Sequence, residues 1–200
     1  MKSGFYKNLV VIALPIILQN LMQSFVNMLD TIMVGQLGSI EIAGVGLGNQ
    51  IFFILNMILF GIGSGGSIFI AQFWGKKDIG GIRRTLGITL SMTLVISVLF
   101  TIVAFFFPKN LLGLYSTDVA VIELGATYLR IVSLSYVVTA LSFSFSLALR
   151  STENVKLPLY ATIVSLILNA ILNYVFIFVL HLGVAGAAIA TIISRVAEFC

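Results

Sequence analysis

The chain has 200 residues, of which 60% are hydrophobic and 9% charged, with a formal net charge of +4 and a mean hydropathy of +1.14. Soluble domains carry about 25% charged residues, so this composition excludes an ordinary soluble fold and predicts an integral membrane protein. A single cysteine, Cys200, excludes an intrachain disulfide and a cysteine metal cluster.

Apolar blocks of roughly twenty residues or more suffice to cross a hydrocarbon core of ~30 Å as helices. The alternating segments of a membrane β-barrel are missing. Each span must satisfy its own backbone hydrogen bonds in lipid, so an all-α integral membrane bundle follows. Six spans are predicted, near 9–34, 42–72, 86–107, 121–149, 157–180 and 184–200. The second and fourth are longer than a perpendicular crossing needs, so they tilt, kink or protrude. The sixth stops at Cys200 without a closing loop, as expected of a fragment or of half of a larger protein.

Basic residues alternate with the spans. Lys2 and Lys7 precede the first; Lys76, Lys77, Arg83 and Arg84 fill the second loop; Arg150 and Lys156 bracket the fourth. The intervening loops, 35–41, 108–120 and 181–183, carry Lys109 alone. The positive-inside rule then places the N-terminus in the cytoplasm, with the chain as a multi-pass protein of the plasma membrane. The net charge reflects this topology and does not call for nucleic acid. The start of the chain imitates a signal peptide, but its apolar run is too long, contains Pro15 and lacks a cleavage site, so it reads as a retained helix.

In the first span Gln19, Gln23, Asn27 and Asp30 follow steps of four, four and three, which puts them on one helix face. No basic residue is near Asp30 in sequence. A carboxylate at the bilayer centre costs roughly 2.5–3.5 kcal/mol on insertion scales, whereas polar contacts between membrane helices average only ~0.6 kcal/mol. Helix adhesion therefore accounts poorly for Asp30, and a functional role is expected. Pro15 removes a backbone donor and crowds the preceding turn, making it a potential hinge.

The second span holds Gly44, Gly46, Gly48, Gly61, Gly63, Gly65 and Gly66. No Lys-Ser/Thr pair follows them, and they lie within a span, which excludes a phosphate loop. Close packing or sliding of helices explains them better. In the fourth span Ser135, Thr139, Ser142 and Ser146 form a small-residue stripe of the packing kind.

The fifth span carries Thr162, Ser165, Asn169 and Asn173 on one face, and the sixth offers Thr191 and Ser194. Asparagine and threonine oxygens beside an ionised Asp30 suit a hard cation such as Na+. Asp30, partly desolvated, suits a proton equally. Arg130 is expected to snorkel from the outer end of its helix, Arg195 to lie close to the inner surface, and His181 to be solvated in an outer loop. Neither a His-Glu-x-x-His motif, a nucleophile elbow nor a pair of intramembrane aspartates is present, so no enzyme and no cofactor is expected.

Several local patterns then converge: Ala13-Leu14-Pro15-Ile16-Ile17-Leu18-Gln19-Asn20, Asp30-Thr31-Ile32-Met33-Val34-Gly35-Gln36-Leu37-Gly38 and Ile42-Ala43-Gly44-Val45-Gly46. Further on come Ala71-Gln72-Phe73-Trp74-Gly75-Lys76-Lys77-Asp78, Tyr128-Leu129-Arg130-Ile131 and Gly183-Val184-Ala185-Gly186-Ala187-Ala188-Ile189-Ala190-Thr191. In this order, over nearly the whole chain, they resemble the multidrug and toxic compound extrusion (MATE) family of cation-coupled efflux transporters. The resemblance implies a twelve-helix protein of two six-helix lobes around a cavity that opens alternately to each side. The chain then looks like the amino-terminal lobe, residues 1–200, without the C-terminal lobe.

What the resemblance implies for individual residues is specific. Asp30 becomes the embedded acid of the lobe, and Asn169, Asn173 and Thr191 the polar cluster that binds Na+ or relays H+ with it. Gln23 matches a position lining the substrate cavity, with Asn27 on the same stripe, and Pro15 matches a proposed point of bending. Many members have a second aspartate where this chain has Asn173. The expected function is a cation-coupled multidrug efflux antiporter for amphipathic, often cationic, organic compounds. Its partners are those small molecules, the lipid bilayer, and a missing lobe or second copy. A lipid-linked oligosaccharide flippase should present several basic residues to a pyrophosphate, where these spans offer Arg130 and Arg195. A non-transporting assembly subunit would gain little from a buried acid beside asparagines.

Overall fold

A computed structural model describes the backbone of residues 2–200 and the side chains of residues 13–25 and 27–200, so Lys2 and Lys7 lie outside the described side chains. The chain is helical throughout: α1 (Lys2–Gly35), α2 (Ser39–Gly75), α3 (Ile79–Phe106), α4 (Pro108–Leu112), α5 (Val119–Val132), α6 (Tyr136–Ser151), α7 (Lys156–Tyr174) and α8 (Gly183–Phe199). A 3-10 turn, Ser133–Ser135, joins α5 to α6, and a π turn, Val175–Val179, extends α7. Four rods among the described residues are long and apolar enough to cross a membrane: Ser39–Gly75, Ile79–Phe106, Val119–Ser151 and Lys156–Val179.

Every apolar stretch read from the sequence falls on helix. The segment 108–120, expected as loop, contains the short α4. Pro108 occupies its first turn, where a missing N–H leaves no hydrogen bond unmade, and Leu112 drops into the core. Polar caps define the starts of α3 and α5. Asp78 Oδ1 accepts from the Gly81 N–H at 2.9 Å, and Asp118 Oδ1 accepts from the Ala120 N–H at 2.9 Å; each satisfies a donor the helix cannot use internally. Short turns at 36–38, 76–78 and 152–155 make consecutive rods antiparallel.

The core runs between α2, α5, α6 and α8, where Leu55, Leu59, Leu129, Tyr136, Ala140 and Ala188 are fully buried. Large apolar side chains such as Ile17, Leu21, Phe53, Phe60 and Ile167 point outward, as a lipid-facing surface requires. Many polar groups inside bond to one another or to backbone. Thr93 Oγ1 and Ser144 Oγ lie 3.0 Å apart across α3 and α6, and Thr101 Oγ1 donates to the Ser133 carbonyl at 3.1 Å.

Helices α2 and α5 meet backbone to backbone at Gly44 and Gly125. A Cβ on Gly44 would stand 2.9 Å from the Gly125 nitrogen, and one on Gly125 would stand 2.8 Å from the Gly44 carbonyl oxygen. Only glycine at both positions allows this approach. At Gly46, Gly61 and Gly65 a Cβ would meet open space. The glycine run of α2 therefore serves close packing at some positions and leaves others free.

Candidate ion-coupling site

The polar face of α7 is set by its spacing. Thr162, Ser165, Asn169 and Asn173 recur every three or four residues, and all four are buried. That face packs against α1 and α8. Two of its members reach Asp30, which α1 holds half-buried near its C-terminal end. Asn173 Nδ2 donates to Asp30 Oδ1 at 2.5 Å and stands 3.2 Å from Asn169 Oδ1.

The Asn169 amide is better satisfied turned by half a rotation. Its nitrogen then lies 2.9 and 3.2 Å from the two Asp30 oxygens, and its oxygen accepts from Ser194 Oγ at 3.2 Å. An ionised carboxylate only accepts hydrogen bonds, so this orientation gives Asp30 a donor from each asparagine. It also links α1 and α7 to α8. Asn173 Oδ1 is buried without a hydrogen-bond partner. One charged and at least one unused neutral oxygen donor therefore lie on neighbouring residues, a set that suits a hard cation. Among the described residues no group of three or more His, Cys, Asp or Glu gathers, so Asp30 supplies the carboxylate chemistry of this site by itself.

The remaining expected residues are placed differently. Thr191 Oγ1 donates to the Ala187 carbonyl of its own helix at 2.9 Å and neighbours Tyr128, whose hydroxyl donates to Asn49 Oδ1 at 3.2 Å. Its place beside the asparagines is taken by Ser194. Gln23 and Asn27 lie exposed on α1, and neither side chain bonds to Asp30. Pro15 sits within a helix that continues through it.

Gln19 belongs to the same sequence stripe but is buried, and it enters a second network. Arg150 Nη2 donates to Gln19 Oε1 at 2.6 Å. Gln19 Nε2 donates to Thr162 Oγ1 at 2.6 Å and approaches the Pro158 carbonyl at 3.5 Å. Thr162 Oγ1 in turn donates to Glu198 Oε1 at 2.8 Å. The sequence placed Arg150 merely at a loop; its signal was an opposite charge, Glu198, at the same predicted end of the bundle.

Arg195 corrects an expectation. Instead of lying close to the inner surface, its guanidinium sits 3.8 Å above the centre of the Phe52 ring and donates from Nη1 to Ser135 Oγ at 2.8 Å. The ring face and the hydroxyl draw it inward, a cation–π contact being stronger where water is scarce. Arg130 is exposed, with Nε donating to the Phe105 carbonyl at 3.2 Å, and His181 is exposed. Among the described residues the one ion pair is Lys109 with Glu123, 3.0 Å apart on the surface. Asp30 and Arg195 are therefore not in direct contact.

A family model described as MatE matches residues 15–175. The chain is 32% identical over 203 residues to the probable multidrug resistance protein YoeA of Bacillus subtilis (strain 168), covering 99% of this chain and 44% of that protein. It is 27% identical over 192 residues to multidrug and toxin extrusion protein 1 of Oryctolagus cuniculus, covering 94% of this chain and 33% of that one. Among solved structures, a multidrug resistance MATE family transporter in an outward-facing conformation superposes with a TM-score of 0.89 at 27% identity. That match covers 96% of this chain and 43% of the solved one. The chain thus spans less than half the length of these relatives.

Proposed function

Because the chain belongs to the MatE family, whose members are transporters and not enzymes, we propose that it forms one lobe of a cation-coupled antiporter exporting amphipathic, often cationic, organic compounds. The observation that carries the reading is the Asp30 carboxylate held by Asn173 at 2.5 Å, with the unpartnered Asn173 oxygen buried beside it. That arrangement supports a site for one small cation, Na+ or H+, entering as the driving substrate. Asn169 and Ser194 complete its walls, with Thr191 one turn back along α8.

The exposed amides of Gln23 and Asn27 give α1 a polar outward face, which supports their role in a substrate cavity closed by a second lobe or a second copy. Pro15 lies two turns before Gln23, and a helix lacking a hydrogen bond there bends at lower cost. Lys76, Lys77, Arg83, Arg84 and Lys156 are exposed at one end of the bundle, which supports a cytoplasmic N-terminus in the plasma membrane. An electrical gradient would supply roughly 2.3 kcal/mol per charge per 100 mV, about a fiftyfold concentration ratio.

The test is Asp30→Asn, compared with the native transporter at equal expression in cells loaded with a fluorescent cationic dye. Efflux driven by an imposed sodium or proton gradient should be lost in the variant while membrane insertion is retained. Gradient-driven efflux at the native rate would remove Asp30 from the coupling role.

A further inference from the structure

Helix α2 has 37 residues; at ~1.5 Å per residue it outruns a hydrocarbon core of ~30 Å and enters the headgroup region. Trp74, the single tryptophan of the chain, is exposed in its last turn, and such amphipathic rings settle at the membrane interface. Around that level stand Lys76, Lys77, Arg83 and Arg84, all exposed. Among the described residues none of the four has a carboxylate within ion-pair distance. Asp78, the one acid of this stretch, is engaged as a helix cap, its Oδ1 accepting from the Gly81 N–H at 2.9 Å.

The turn that carries these charges is firmly built. The Lys77 N–H donates to the Trp74 carbonyl at 3.0 Å and the Asp78 N–H to the Phe73 carbonyl at 2.9 Å. The Phe73 ring fills the place that a side chain on Gly81 would need, pressing the end of α2 against the start of α3. Lys77 has a φ of 57°, the left-handed conformation that ends many helices and that glycine adopts without strain. A lysine is therefore kept there at a cost in backbone energy. Orienting a helix in the membrane requires positive charge on the loop, but not at this strained position.

Beyond the charges, the surface turns apolar in register. Arg84, Ile88, Met92, Val95 and Leu99 follow steps of four, four, three and four along α3, which puts them on one face, and all are exposed. A guanidinium thus heads an apolar stripe of about 22 Å, longer than half of the hydrocarbon core. We propose that the α2–α3 turn is a binding site for an anionic phospholipid. Lys76, Lys77, Arg83 and Arg84 take its phosphate, and an acyl chain lies along Ile88, Met92 and Val95. Arginine matches phosphate oxygens with its planar fork, and lysine adds a point charge. A soluble phosphate or an acidic peptide would use the charges and leave the stripe unmatched. This site is separate from Asp30 and does not depend on the coupling role of that acid.

Trp74, as the only tryptophan, reports on the site directly. The full chain is reconstituted in phosphatidylcholine nanodiscs carrying an equal mole fraction of brominated phosphatidylglycerol or brominated phosphatidylcholine, and bromine quenching of Trp74 gives the relative binding constant. Phosphatidylglycerol should be preferred by roughly fivefold or more, the factor that a single cation near an anionic lipid surface contributes. Lys76→Gln/Lys77→Gln and Arg83→Gln/Arg84→Gln should each lower the preference, and the four changes together should abolish it. Arg83→Lys/Arg84→Lys should keep most of it, and Lys109→Gln, away from the turn, should leave it intact. Lys77→Gly relieves the left-handed strain, so its melting temperature should hold or rise while the preference falls, a split that a merely structural lysine would not produce. Circular dichroism and Trp74 emission in phosphatidylcholine alone check each fold. Equal quenching by the two lipids, a fourfold variant with the native preference, or a Lys109→Gln effect as large as that of either pair overturns the proposal. Displacement of phosphatidylglycerol by inorganic phosphate at constant ionic strength would assign the charges to a soluble anion and overturn it as well.

Discussion

Arg150 and Gln19 are 131 positions apart in the chain, and Arg150 Nη2 donates to Gln19 Oε1 at 2.6 Å. This bond fixes which end of the Gln19 amide points where, leaving Nε2 to donate to Thr162 Oγ1 at 2.6 Å. The Thr162 hydroxyl in turn donates a hydrogen bond to Glu198 Oε1 at 2.8 Å. One side chain of α1 thereby ties together α6, α7 and α8, a single helical turn past Pro15.

Replacing Gln19 by Leu should loosen that end of α1. Arg150, whose Nε already lacks a partner, would lose its acceptor, and leaving a buried polar group unpaired costs about 1–3 kcal/mol. Thermal unfolding of Gln19→Leu, Thr162→Val and the double variant should show strong non-additivity, because the two residues share one bond. Additive losses would mean that the contact contributes nothing beyond packing.

Glycine positions should separate sharply. Gly125→Ala and Gly44→Ala each push a methyl group into the opposing backbone, and backbone cannot step aside as a side chain can. Both should reduce stability by roughly 1–3 kcal/mol or prevent accumulation. Gly46→Ala and Gly65→Ala, with nothing in the way, should be neutral or slightly stabilising through helix propensity. Detergent-solubilised yield and melting temperature measure both classes.

Asn173 invites a change of charge. With Asn173→Asp, two carboxylates would face each other where an amide now donates at 2.5 Å, and close carboxylates do not both stay ionised without a cation between them. Sodium should therefore raise the melting temperature of this variant more than that of the native chain, by mass action on the folded state. Choline chloride at equal ionic strength is the control. Equal responses to the two salts would argue for proton occupancy.

Topology is open to labelling. In a chain with Cys200 replaced by serine, Lys77→Cys and His181→Cys place single thiols in exposed turns at opposite ends of the bundle. A membrane-impermeant maleimide added to intact cells should label the second and spare the first. The reverse pattern would invert the orientation.

Much of this was legible in the sequence because it depends on periodicity. Apolar blocks mark the rods, and steps of three and four placed Asn169 and Asn173 on the face that meets Asp30. Hydropathy is blind, however, to which neighbour covers which stretch of a helix. Gln19, Gln23, Asn27 and Asp30 share one stripe, yet α6 and α7 cover Gln19 and leave Gln23 and Asn27 exposed. Arg195 was misplaced for the same reason: only a packed bundle brings Phe52 and Ser135 beneath it. Thr191 and Ser194 are three residues apart, and the choice between them depended on the rotation of α8.

The contact between Gly44 and Gly125 has a mechanical consequence. Where two backbones touch, no flexible side chains lie between them to act as lubricant, so α2 and α5 form a stiff plank, braced further by α3 and α6. Helix α1 leans chiefly on α7 and only lightly on α2. Any swing of the lobe should accordingly pivot at the seam between α1 and α2, as a door moves against its frame. Asp30 rides on the door together with Asn173, which holds it from α7.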